Sequence, residues 1–176
     1  MKKNIIAYLF VLIQISVFSQ NFHSTNISVS EGLLTNSISD IFQDELGNMW
    51  FATDLGVCKY NGYKFTNYTT KNGLTHNVVF QINEYNNILY FNTYKGGICF
   101  FDGDSIFPYQ FNDILLNKIE DQFVQDFIFE GDDLWFNLFN TNGLFTINKE
   151  GIFDEVKMGN KQATFYVKEL NGEKIC

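Results

Sequence analysis

One phrase recurs three times in this chain, and few folds can accommodate it. The first copy holds Asn48-Met49-Trp50-Phe51-Ala52-Thr53, then Gly56-Val57-Cys58-Lys59-Tyr60-Asn61-Gly62. The second holds Leu89-Tyr90-Phe91-Asn92-Thr93, then Gly97-Ile98-Cys99-Phe100-Phe101-Asp102-Gly103. The third keeps Leu134-Trp135-Phe136-Asn137, then Gly143-Leu144-Phe145-Thr146-Ile147. Gly56 to Gly97, Cys58 to Cys99 and Gly62 to Gly103 are each 41 residues apart. Such a period, written in strand and turn residues, is the pattern of a β-propeller blade. The expected fold is all-β: blades of four antiparallel strands, about three and a half of them, in an incomplete ring that needs about 4–8 to close.

The chain divides on this period. Residues 1–19 read as a signal peptide: Lys2 and Lys3, an apolar run Ile5 to Phe18, and Val17-Phe18-Ser19 before a cut at Gln20. The run is too short for a comfortable membrane span. Residues 20–31 form an N-terminal arm. Blade 1 is expected over 32–72, blade 2 over 73–116, blade 3 over 117–160, and a partial, truncated blade 4 over 161–176. In blade 1 the strands are Ile38 to Gln43, Met49 to Thr53, Val57 to Tyr60 and Tyr63 to Tyr68. In blade 2, Val78, Phe80 and Ile82 alternate like a half-buried strand. Pro108 falls in an outer strand, Ser105 to Tyr109, where a missing N–H is tolerated. Lys118 to Asp126 reads as a connection between blades. The fourth repeat opens with a strand over Ala163 to Lys168 and turns at Asn171-Gly172.

Blades stack face to face, so both sheet faces are buried and the strands carry apolar pairs. Trp50, Phe51, Tyr90, Phe91, Trp135 and Phe136 are the expected packing residues. Gly47, Gly56, Gly62, Gly97, Gly103 and Gly143 are the expected turn glycines, with Gly47-Asn48 and Asn61-Gly62 taking the positive φ that tight hairpins need. The chain holds twenty Phe and nine Tyr, suiting pleated, half-buried surfaces.

Charge removes one class of function. The chain carries a formal charge of −8 and no Arg. Nucleic-acid binding needs clustered cations, so no nucleic-acid partner is expected. Cys58 and Cys99 hold equivalent places in successive repeats and read as buried small residues; Cys176 is left over by count. No metal and no cofactor are expected: the chain has two His, His23 and His76, and Asp44, Glu45, Asp102, Asp104, Asp132 and Asp133 sit at turns without the spacing of a calcium loop. No nucleophile motif appears, so the segment is expected to be non-catalytic. Tyr63, Tyr94 and His76 are the candidate ligand-binding residues, aromatic or polar side chains near blade turns; a packing role competes for the tyrosines, and plain solvation for His76.

The stretches Gly32-Leu33-Leu34-Thr35-Asn36-Ser37-Ile38, Gln43-Asp44-Glu45-Leu46-Gly47-Asn48-Met49-Trp50-Phe51-Ala52-Thr53 and Gly56 to Gly62 resemble the two-component regulator propeller repeat. The resemblance implies a periplasmic or extracellular sensor propeller, with a parent anchored in the inner membrane. Such parents continue into a membrane helix and a histidine kinase or a DNA-binding regulator. It further implies a small-molecule or oligosaccharide ligand, possible carbohydrate sensing, and partners in the remaining blades, the membrane and kinase region, or a second copy through the propeller. Two other readings stay open: a secreted propeller enzyme of the streptogramin-lyase type, for which His76 is the catalytic candidate, and a truncated product without activity of its own.

Overall fold

The computed structural model describes residues 26–120, 122–139, 141, 143–156, 168–170 and 173–175. Three four-stranded antiparallel sheets follow one another along the chain, each with its strands in sequence order. The first blade is β1 (Ile38–Gln43), β2 (Met49–Thr53), β3 (Val57–Tyr60) and β4 (Phe65–Tyr68). The second is β5 (Val79–Tyr85), β6 (Ile88–Thr93), β7 (Gly97–Phe101) and β8 (Ile106–Pro108). The third is β9 (Val124–Glu130), β10 (Asp133–Leu138), β11 (Leu144–Ile147) and β12 (Phe153–Val156). A further pair, β13 (Lys168–Leu170) and β14 (Glu173–Ile175), runs antiparallel. β1 lies against β5, and β5 against β9, so the first strand of each blade is the inner one. Among the described residues the blades form an open arc. The leader, Cys176, the Asn171-Gly172 turn and all but Lys168 of the expected fourth-blade strand lie outside the described residues.

Strand pairing decides which way each aromatic faces. Trp50 points forward, with its ring 5.9 Å from Phe91 and 5.0 Å from Phe101 of the next blade. Tyr90 does the same, 4.3 Å from Phe129. Phe91 and Phe136 sit on the opposite faces, turned back toward the preceding blade. Trp50, Ala52 and Val57 thus share one core with Val79, Ile82, Phe91 and Cys99. Ile98 and Tyr109 share the next with Phe127 and Phe136. Burying one such large side chain is worth about 1.5–3 kcal/mol. Phe51 instead packs with Leu33 and Cys58 under the N-terminal arm. Trp135 is half-buried.

The expected alternation of Val78, Phe80 and Ile82 does not survive in space. Val79 pairs with Thr93 and Gln81 with Asn92, so Phe80 is an extra residue in the ladder, a β-bulge. The bulge flips the side-chain order, and Val79 and Ile82 are the buried pair. Blades 1 and 3 bulge at the same place, at Ser39 and Gln125.

The turns follow side chains as much as glycines. Gly47, Gly56, Gly62, Gly97 and Gly103 all take positive φ, whereas Asn48, Asn61 and Gly143 do not. Asn61 acts through its side chain: Oδ1 accepts the N–H groups of Tyr63 and Lys64, bracing a four-residue loop, so β4 begins at Phe65 and not at Tyr63. Asp102 braces the matching loop by accepting from Asp104 and Ser105. The two-residue turn is elsewhere, at Asn86 (φ 50) and Asn87 (φ 62).

One element departs from the all-β reading. Helix α1 (Asn112–Ile119) occupies part of the connection between blades 2 and 3, and β9 already begins at Val124. Leu115 and Ile119, one turn apart, are buried in the second core. Asn112 ties the helix down: Oδ1 accepts the Ile98 N–H at 3.0 Å and Nδ2 donates to the Ile98 carbonyl at 2.7 Å. Apolar packing outweighs the short helix's low intrinsic stability.

Cys58 and Cys99 are buried free thiols. Each accepts a backbone N–H from the loop opening its own blade: Leu34 to Cys58 Sγ at 3.3 Å, Thr75 to Cys99 Sγ at 3.4 Å. A fully apolar residue there would strand that N–H.

Candidate ligand-binding face

The end of β6 and the start of β5 meet at one end of blade 2, where Val79 lies opposite Thr93. The matching end of blade 3 has Leu138 opposite Val124. The chain crosses between blades at this same end, so loops from two blades gather here. Five rings form a strip across them. His76 lies 5.6 Å from Tyr94, edge to face. Tyr94 lies 6.0 Å from Phe80 and 5.7 Å from Phe123. Phe80 and Phe123 are 5.5 Å apart. Phe123 stacks on Phe139 at 4.9 Å with planes 18° apart.

Local structure explains why these rings collect. Phe80 is the bulge residue, expelled from the blade-packing ladder. Tyr94 follows β6 directly, and its N–H donates to the Val78 carbonyl at 2.9 Å. Phe123 and Phe139 flank β9 and β10, joined by a bond from the Phe139 N–H to the Phe123 carbonyl at 3.1 Å. His76 Nδ1 accepts the Val78 N–H at 3.0 Å. In the neutral ring Nε2 then carries the proton and is a donor.

The strip is open to solvent. Phe139 is 45% exposed, and His76, Phe80, Tyr94 and Phe123 are each half-buried. Lys95, exposed and at φ 52, sets its ammonium 6.0 Å from the centre of the Tyr94 ring. Beneath the rings, polar side chains join blade 2 to blade 3. Gln81 Nε2 donates to Asp126 and Asn83 Nδ2 to the Phe127 carbonyl. Asn92 Nδ2 donates to the Val124 carbonyl at 2.8 Å. These bonds hold the two halves of the strip in fixed relation.

Of the three candidates named from sequence, His76 and Tyr94 come together here. Tyr63 does not: it is 94% exposed on the β3–β4 loop, at the other end of blade 1. Phe80, Phe123 and Phe139 escaped the sequence reading; their common signal is an aromatic at the strand end where blades connect. The acidic turn residues lie at the opposite end. Asp44 serves the fold, and Glu84 nearby is pushed above the usual carboxyl range by burial and then by Glu45 and Asp44. Among the described residues no group of three or more His, Cys, Asp and Glu could hold a metal ion. Nor, among them, is any helix long and apolar enough to cross a membrane.

Residues 32–54 match the family Two component regulator propeller. Over 65 residues, 37% of this chain, it is 31% identical to Histidine kinase P4 of Formosa agariphila, covering 5% of that protein. Two solved structures from B. thetaiotaomicron are similar. The extracellular domain of the hybrid two component system BT3049 aligns with a TM-score of 0.59 and 22% identity, over 74% of this chain and 19% of that one. The extracellular domain of the hybrid two component system BT4673 aligns with a TM-score of 0.58 and 19% identity, over 84% of this chain and 20% of that one. At these identities the likeness is one of fold, and the chain spans about a fifth of each structure. The chain carries a two component regulator propeller repeat in its first blade, set in the propeller fold.

Proposed function

We propose that this chain is part of the ligand-binding sensor propeller of a two-component receptor, exported to the periplasm or cell exterior, and that its ligand is a saccharide. The aromatic strip from His76 to Phe139 carries the reading. Open rings held on a rigid scaffold offer flat apolar surface to the C–H face of a sugar, and the neighbouring His76 Nε2–H, Tyr94 hydroxyl and Lys95 ammonium offer donors to its hydroxyls. The export signal read from the sequence and the likeness to extracellular receptor domains support the compartment. The relative that carries a kinase name supports an output domain beyond the propeller in a longer parent.

The test is a saccharide panel titrated into the chain by calorimetry, with Tyr94→Ala and Phe139→Ala as probes. Each ring should contribute about 0.5–1.5 kcal/mol, so each variant should weaken binding several-fold. Failure of every saccharide to bind, or binding indifferent to both substitutions, would sink the reading.

A further inference from the structure

The loop between β3 and β4 sets a side-chain amide against the main chain that follows it. Asn61 Oδ1 accepts the Tyr63 N–H at 3.1 Å and the Lys64 N–H at 3.0 Å. Both donors come after Gly62, so the side chain folds forward over the Gly62 nitrogen. Asn61 and Gly62 are exposed. A Cβ placed on Gly62 would meet nothing within 4 Å, so nothing crowds that nitrogen. Among the described residues no hydrogen bond occupies the Gly62 N–H.

We propose that Asn61 is a site of spontaneous deamidation, with solvent water as the co-reactant. The Gly62 nitrogen gives its proton to hydroxide and bonds to Asn61 Cγ. Negative charge gathers on Oδ1 in the tetrahedral intermediate, and the Tyr63 and Lys64 N–H groups are already aimed at that atom. The Cγ–Nδ2 bond then breaks. Nδ2 takes a proton from water, which restores the hydroxide, and leaves as ammonia. A five-membered imide now joins Asn61 to Gly62. Water opens it at either carbonyl carbon. Opening at Cγ gives an aspartyl residue. Opening at the backbone carbonyl gives an isoaspartyl residue, with the main chain routed through Cβ and Cγ. Either way, one amide and one water become one carboxylic acid and one ammonia.

The fold separates this site from a second Asn-Gly pair, Asn72-Gly73. Asn72 ends the 3-10 turn Thr70–Asn72. Its Oδ1 accepts the Thr69 N–H at 3.1 Å and the Thr69 hydroxyl at 3.2 Å. Those donors precede it, so the side chain is drawn away from Gly73. Gly73 is also wedged on β8: a Cβ there would lie 2.0 Å from the Ile106 carbonyl oxygen, which leaves little room for ring closure. The hairpin tolerates the aspartyl product, because blade 2 is built with it. Asp102, 41 residues on from Asn61, accepts the Asp104 N–H at 3.0 Å and the Ser105 N–H at 2.9 Å in the same way. The isoaspartyl product adds a main-chain carbon just beyond the Tyr60 and Phe65 pair and opposes the β3–β4 register.

Peptide mass mapping tests this on the full chain, incubated at mildly alkaline pH with and without denaturant. Cleavage after Lys64 and Lys71 puts Asn61 and Asn72 in different peptides, and each conversion adds about one dalton to its peptide. In denaturant the two pairs should convert at similar rates, since only the Asn-Gly motif is left. In the folded chain Asn61 should convert about tenfold or more faster than Asn72. Asn61→Asp should keep the wild-type melting curve and show no mass gain in its peptide. Equal rates at the two sites in the folded chain overturn the proposal. So does an Asn61 that converts in denaturant and not in the folded chain. A lowered melting temperature for Asn61→Asp would show that the hairpin does not accept the aspartyl product.

Discussion

The indole Nε1 of Trp50 donates to a carboxylate oxygen of Asp44 at 2.8 Å, across the first hairpin. Asp44 also accepts the Asn48 backbone N–H at 2.8 Å. One side chain thus braces the turn and satisfies the polar edge of a fully buried ring. Asp44→Ala leaves that N–H stranded and should cost about 1–3 kcal/mol in denaturant unfolding. Trp50→Ala empties the contact between blades 1 and 2 and should cost about 3–5 kcal/mol.

Acid should undo the Asp44 brace. Burial pushes its carboxyl up, but the bonds from Trp50 and Asn48 outweigh burial and hold it below the usual range. A carboxyl depressed in the folded state stabilises above its unfolded value and loses that contribution as pH falls through the folded value. The stability gap between wild type and Asp44→Ala should therefore shrink below about pH 4. Melting curves at pH 7 and pH 3 compare the two.

Glu84 carries the opposite sign. Its carboxyl is raised by burial, then by Glu45 and Asp44. A raised carboxyl favours folding most when protonated, and that advantage fades as pH rises through its folded value. Glu84→Gln should raise the melting temperature at pH 7 and change it little at pH 3.

Cys58 and Cys99 should resist thiol reagents. Burial raises both thiols above their ordinary range, and each accepts a backbone N–H. Labelling the folded chain, followed by peptide mass mapping, should leave both unmodified until denaturant is added. Rapid labelling of either would mean its blade-opening loop does not seal it.

Two glycines separate backbone strain from crowding. A Cβ on Gly73 would lie 2.0 Å from the Ile106 carbonyl oxygen, at φ +104. A Cβ on Gly62 meets nothing within 4 Å, at φ +90. Gly62→Ala should cost about 1–2 kcal/mol, the strain alone. Gly73→Ala should cost roughly 3 kcal/mol or more, because β8 must also move. Equal costs would contradict this packing.

Much of the scaffold was legible in the sequence. The period placed the β2 strand and the β3 strand of the first blade, since Trp50-Phe51 and Val57-Cys58 are fixed by burial on both faces. The inner-strand face was not legible, because a bulge has no residue signature: Ser39, Phe80 and Gln125 share no chemistry. Helix α1 was hidden for a similar reason, being held by Asn112 on a strand edge instead of by a long amphipathic repeat. His76 and Tyr94 were found as turn residues, but Phe123 and Phe139 come near them only once two blades are packed. Tyr63 lies apart from them, exposed on the β3–β4 loop at the other end of blade 1.

The bulge gives each inner strand two independent vocabularies. Positions 82 and 127 must be apolar because they bear on the preceding blade, and Ile41 repeats that choice in blade 1. Positions 39, 80 and 125, released from that duty, hold a hydroxyl, a phenyl ring and an amide. A propeller built this way can change the side chains at its mouth, one blade at a time, without renegotiating how the blades hold together.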